Sequence, residues 1–172
     1  MVYTLKDFGR YKKLLEATTG QLSDDDFFRV LAPTTNSVAV IVNHLAGNLI
    51  SRYTDFVSSD GEKTWRHRDS EFDVSGTTRE DIMNRWQAAW EVTSETLSTL
   101  TSDDITRTVY IRAQPLSVEA ALSRSLAHFS YHVGEVVALA RLYLGEAWQY
   151  QSILPDESEA YTERIKQEAE RG

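Results

Sequence analysis

His128 and His132 stand four residues apart in an apolar helical stretch from Ser117 to Leu144. An α-helix turns once every ~3.6 residues, so side chains four apart stack on one face about 6 Å from each other. Two imidazoles placed this way can share one metal ion. His44 lies in a second apolar helical stretch, Ser37 to Ser59. Three histidines from two helices could form a facial metal site with positions left open for water or substrate. Glu135, three residues after His132, falls in the same narrow arc as Ala121, Arg124, Ser125 and Leu139. It can serve as a ligand, as a hydrogen-bond partner of a ligand, or as a general base. A dry core does not accept two His, an Arg and a Glu on one stripe without partners. A metal with its water would supply them. Taken alone, however, most H-x-x-x-H pairs are surface or hydrogen-bonded histidines. His67 sits in a polar, Arg-rich run and reads as a surface or structural residue. Ser130 points away from the histidine face, so no Ser–His pair arises. The sequence carries no GxSxG, GxxxxGK[ST], HExxH or GxGxxG.

The elements that must position these residues read as helices. The first is expected from about Leu5 to Ala17, with Thr4 and Asp7 as a capping box and Leu5, Phe8, Tyr11 and Leu15 as its apolar face. Ser23 caps a short turn. Ser37 caps the second long helix, whose inner face takes Val38, Ile41, Val42, Leu45, Leu49 and Phe56. His44 lies on the flank of that face, beside a polar edge of Ser37, Asn48, Ser51 and Asp55, where either a site lining or an ordinary core boundary is expected. The third long helix spans about Thr78 to Leu100, with Trp86 and Trp90 in its buried stripe. Ser117 caps the fourth and Gly145 closes it.

Two connections break the helical period. Residues 58–76 form a long loop that could cover a pocket or be a crossover anchored by Trp65 and Phe72. Asp104 to Pro115 holds the β-formers Thr108, Val109, Tyr110 and Ile111, and predicts a short extended segment or small hairpin before the last main helix. Residues 156–172 are polar and are expected to be peripheral. Four main helices suggest an all-α four-helix bundle in a single domain over residues 1–172.

The chain has 172 residues, 41% hydrophobic and 26% charged, as expected of one globular core. A net charge of −8 without a basic stripe argues against nucleic-acid partners. Charges such as Arg52, Arg124 and Glu135 interrupt every apolar stretch, so no membrane span is expected; Lys6 and Asp7 interrupt any signal-like start. The default location is the cytoplasm. With no Cys, a transition-metal site must use His and carboxylates.

The run from His128 to Val137 (HFSYHVGEVV) resembles the H-x-x-x-H-x-G-[QE]-[IV] signature of the DinB/YfiT-like superfamily. Asn43 to Asn48 (NHLAGN) resembles its second-helix motif. Ser37 to Phe72, Thr108 to Arg112 and Gly145 to Gln149 are similar to an uncharacterised DinB-like subfamily. The resemblance covers roughly Leu5 to Leu154. It implies an up-down-down-up bundle and a divalent metal, usually zinc or nickel, held by His44, His128 and His132. It also implies a homodimer and kinship with transferases and isomerases that use bacillithiol or mycothiol. Glu135 stands where relatives often have Gln.

The resulting expectation is a divalent-metal-dependent, thiol-dependent S-transferase acting on a small-molecule substrate with a low-molecular-weight thiol. Glu135 would be its base or a ligand-orienting group. Tyr110, Arg112 and Arg124 are candidates for binding an anionic substrate or cofactor group. The rivals are a non-catalytic metal-binding or stress-response protein and a helical interaction module that uses Trp65, Phe72 and the loop between them.

Overall fold

The computed structural model describes residues 2–171, with side chains from Lys6 onward. The chain is mostly helical, with two short strands. The helices are α1 (Val2–Thr19), α2 (Asp24–Phe28), α3 (Val38–Tyr53), α4 (Arg79–Thr99), α5 (Val118–Leu144) and α6 (Ser158–Glu170). The strands β1 (Thr108–Ile111) and β2 (Gln114–Ser117) pair antiparallel.

Side-chain caps set most of the helix starts. Ser23, Ser37 and Ser117 each accept a hydrogen bond from the backbone N–H three residues on, at 3.1, 3.2 and 3.1 Å. Thr78 and Asp81 form a reciprocal capping box. Each such cap contributes about 1 kcal/mol. Gly145 closes α5 at φ 52°, the left-handed region that glycine enters freely. α1 begins at Val2, so Thr4 lies within the helix and does not cap it; the side chains of Thr4 and Leu5 lie outside the described residues.

α3 stops six residues short of the expected Ser59. Thr54 turns its hydroxyl back onto the Ile50 carbonyl at 2.7 Å, and Asp55 adopts φ 48°. A side-chain bond to the last turn and a left-handed residue together break the helical ladder. Phe56 therefore reaches the core from the turn after the helix.

α3 packs along α4, and α1 packs along α5, with α2 and α5 also against α3. The centre is aromatic. Phe8 stacks on Phe129 at 5.8 Å between ring centroids and meets Tyr53 edge-on at 6.0 Å, while Trp86 lies 5.7 Å from Phe129. These rings come from all four long helices, and each pair adds about 1 kcal/mol beyond its burial. α6 buries no residue. No helix among the described residues is long and apolar enough to cross a membrane.

The hairpin confirms the extended segment but runs through Pro115, where the sequence placed its boundary. Pro115 faces Tyr110. With a two-residue loop, that position is a non-hydrogen-bonded pair, so its missing N–H costs the ladder nothing. Val109 and Ile111 point into the core, and Thr108 and Tyr110 point out. The loop residues Arg112 and Ala113 have φ 54° and 60°, a type I′ turn built without Asn or Gly. Each costs roughly 1–2 kcal/mol in that conformation. Asp60 offsets the cost: its carboxylate accepts both turn N–H groups, at 2.8 and 2.6 Å.

Candidate metal centre

His44, on α3, meets His128 and His132, which lie on successive turns of α5. One ring nitrogen from each histidine lies within 4.8 Å of the others. His44 Nε2 and His128 Nε2 are 3.4 Å apart. The ring centroids are 5.4 Å (His44–His128), 5.2 Å (His44–His132) and 4.6 Å (His128–His132) apart.

The far side of two of these rings is fixed by carboxylates. His44 Nδ1 lies 2.8 Å from Glu71 Oε2, and His132 Nδ1 lies 2.6 Å from Glu135 Oε2. A carboxylate accepts, so each Nδ1 carries the proton and each Nε2 presents its lone pair. The His44 Nε2 lies beside His128 Nε2, and a ring nitrogen of His132 is within 4.8 Å of the group. Two nitrogens about 2.1 Å from a tetrahedral zinc ion lie about 3.4 Å apart, which is the His44–His128 separation. The donor set therefore fits a divalent ion, with the Nδ1–carboxylate contacts that hold metal-ligating imidazoles in one tautomer.

The Glu71 carboxylate is 1% exposed and belongs to a buried network. Arg66 grips it through two bonds, Nε to Oε1 at 2.8 Å and Nη2 to Oε2 at 2.9 Å, and reaches Glu62 with Nη1 at 3.2 Å. Burial alone would push the Glu71 carboxyl up, but His44 and Arg66 outweigh it and hold it below the ordinary carboxylate range. Asn43 donates to the Glu71 backbone carbonyl at 2.9 Å and accepts from Arg85 at 2.6 Å. The approach of Glu71 to α3 needs Gly47: a Cβ there would sit 2.2 Å from Oε1 and 2.6 Å from Cδ. Phe72 lies over His44, with ring centroids 5.0 Å apart, and carries the Arg68 guanidinium on its outer face at 4.9 Å.

Burial, and then the charges of His132, His44, Arg52 and Arg66, push the His128 imidazole down to about 4. Burial also lowers His132, against the opposing pull of Glu135. Both rings are thus neutral near pH 7, the form that ligates a metal.

A cavity of about 170 Å³ opens beside His44 and His128. Arg112 and Arg124 line it, whereas Tyr110 sits on the outer face of the hairpin and does not. Glu135 holds His132 and stands outside the three-nitrogen cluster. Four larger cavities, about 1370, 710, 630 and 320 Å³, share no residue with the histidine group.

The 58–76 loop delivers the buried carboxylate, and Phe72 covers the site. Trp65 is 52% exposed and His67 is exposed. Sequence reasoning missed Glu71 and Arg66, which lie in a stretch without period, and gave no role to Arg52. Gly47, a glycine inside an apolar helix one turn from His44, was the signal that a neighbouring group comes close.

The family model DUF1572, described as protein of unknown function, matches residues 2–157. No curated protein matches the chain.

Proposed function

The chain belongs to the DUF1572 family of proteins of unknown function, and from that premise we propose that it is a divalent-metal-dependent enzyme of the DinB-like type, a thiol-dependent S-transferase. The observation that carries the reading is the pair of Nδ1–carboxylate contacts, which leave the Nε2 atoms of His44 and His132 free to ligate, in a group where one ring nitrogen of each histidine lies near those of the others. Such contacts are what a metal-ligating imidazole requires. When bound, the divalent ion supplies acidity to a thiol that reaches it and holds the sulfur near its electrophile.

The chain's own residues have separate tasks in this reading. His44, His128 and His132 hold the ion. Glu71 and Glu135 fix two tautomers. Glu135 is 36% exposed and can take a proton from an incoming reactant. Phe72 limits water at His44. A purely structural metal site is the rival; such sites are closed by protein ligands, and the cavity lined by His44 and His128 favours the open alternative.

The up-down-down-up bundle belongs to the same reading. Between α3 and α4, Asn43 pairs with Arg85 and Tyr53 with Thr96, rising together as parallel helices do. Between α1 and α4, Lys12 meets Trp90 and Glu16 meets Trp86, in opposite order. Between α3 and α5, His44 meets His128 and Tyr53 meets Ser125, again in opposite order.

Elemental analysis of untagged protein beside a His132→Ala variant tests the reading. About one zinc or nickel per chain, lost in the variant, followed by metal-dependent consumption of a thiol with an electrophile, is the expected result. No uptake after dialysis against both metals would sink it.

A further inference from the structure

Five arginines line the small cavity beside the histidines: Arg52, Arg66, Arg68, Arg112 and Arg124. No carboxylate lines it. That concentration is local, because the chain as a whole carries a net charge of −8. Three of the five are already engaged. Arg66 is bound by Glu71 and Glu62, Arg112 reaches Glu62 at 3.4 Å, and Arg68 rests on Phe72 near Asp69.

Arg52 and Arg124 are different. Among the described residues neither makes a hydrogen bond or an ion pair, and Arg52 Nη1 is buried without a partner. A buried guanidinium nitrogen without an acceptor is costly, and native structures rarely leave one so. Burial and the neighbouring arginines lower the Arg52 guanidinium pKa, with only Glu62 opposing. The chain also builds the position deliberately. A Cβ on Gly61 would meet Arg52 Cδ at 2.9 Å and Nη1 at 3.0 Å, so glycine lets the loop press along this side chain. The loop is tied there by Gly61 N–H to the Tyr110 carbonyl at 2.8 Å and by Ser51 Oγ to the Gly61 carbonyl at 2.9 Å.

The helices extend the histidine pattern toward these two groups. His44, Asn48 and Arg52 occupy successive turns of α3, and His132, His128 and Arg124 occupy successive turns of α5. Asn48 is 7% exposed and also lines the cavity. A reactant placed at the histidines would therefore extend between these two rows onto paired guanidiniums, which bind carboxylate or phosphate oxygens with two parallel bonds each.

We propose that this cavity is an oxyanion subsite in which Arg52 and Arg124, with Asn48, hold a carboxylate or phosphate group of the reactant that reaches the metal centre. The assignment of that group to a reactant rests on the metal-enzyme reading; the subsite itself does not. It makes the substrate class a small anionic molecule.

Calorimetric titration of the zinc-loaded and metal-free full-length protein with sodium acetate, and separately with sodium sulfate as a phosphate surrogate, tests the proposal, at ionic strength held constant with chloride. Saturable binding of either anion is expected in both forms. It should weaken about tenfold or more in Arg124→Gln and in Arg52→Gln, and recover in part in Arg52→Lys. The stronger of the two anions tells carboxylate from phosphate. Arg124 is exposed, so its variant will fold even where the Arg52 variant does not. Equal binding by wild type and Arg124→Gln, or no binding by wild type, would overturn the subsite. Zinc uptake measured on the same samples reads the metal centre independently: anion binding without zinc uptake keeps the subsite and removes the enzyme reading, and the reverse removes the subsite alone.

Discussion

Replacing Glu71 with Gln removes one charge and almost no volume, and its cost can be worked from three contacts. The wild-type carboxylate accepts from His44 Nδ1, Arg66 Nε and Arg66 Nη2 at 2.8, 2.8 and 2.9 Å. A glutamine side chain has one acceptor oxygen and an NH2 that only donates. If the oxygen faces Arg66, the NH2 opposes the His44 N–H and the imidazole loses its tautomer lock. If it faces His44, it takes the Oε2 position and still accepts from Arg66 Nη2, but the NH2 then opposes Arg66 Nε and half of the guanidinium grip is lost. Removing a partner that orients a metal ligand costs about 10–100-fold in affinity, or about 1.4–2.7 kcal/mol. Breaking a buried pair costs about 3–5 kcal/mol. Because Glu62 still holds Arg66, the lower end, about 3 kcal/mol, is expected. For a chain of this size that corresponds to a fall of about 6–12 °C in the melting temperature of the metal-free protein. Competition of the variant against a zinc chelator, with calorimetric melting of the metal-free form, measures both. Zinc affinity within twofold of wild type, together with melting within about 2 °C, would refute the claim that Glu71 orients His44.

Three further outcomes are expected. Gly47→Ala should reproduce the zinc defect without touching a charge, because its Cβ displaces Glu71 Oε1; chelator competition at wild-type strength would show that the carboxylate can move at no cost. Glu135→Gln should weaken zinc by less than tenfold, since Glu135 is 36% exposed and the amide oxygen still accepts from His132; a loss as large as that of Glu71→Gln would reverse the ranking of the two carboxylates. For Asp60, burial would raise the carboxyl, but the N–H groups of Glu62, Ala113 and Arg112 outweigh it and lower it. Its folded value lies below its unfolded one, so the stability it contributes is fully present above the ordinary carboxylate value and is lost as pH falls through the lower folded value. Amide exchange at Arg112 and Ala113 should accelerate over that acid range in the wild type and be fast at all pH values in Asp60→Ala, which has no acceptor; protection that persists in the variant would contradict the role given to Asp60.

The histidines were legible because helical spacing is a fixed ruler: His128 and His132 share a face wherever α5 lies, and His44 sits on the flank of a plainly apolar stretch. The hydroxyl caps at Ser23, Ser37 and Ser117 were legible for the same local reason. The end of α3 was not, because a Thr hydroxyl turned onto a carbonyl and a left-handed Asp leave no apolar period to read. Nor was Glu71. Its burial depends on a long-range approach to Gly47 and on Arg66, and a carboxylate in an aperiodic loop carries no pattern that distinguishes a solvated group from a buried one. Arg52 continues the row of His44 and Asn48 at the expected helical interval. What the sequence could not convey was that the loop would seal one of its nitrogens from water.

Glu71 is carried by the loop between α3 and α4, yet it fixes a ring on α3 itself. Docking of that loop and capture of an ion by His44 are therefore two sides of one thermodynamic cycle. Whatever factor the docked loop adds to metal affinity, the bound ion must add to the docking equilibrium of the loop. An ion at the histidines would thus be expressed some distance away, as slower local opening of residues 62–72 and resistance of that segment to proteolysis. Tryptic cleavage after the exposed Arg68 would then report metal occupancy without any probe at the metal itself.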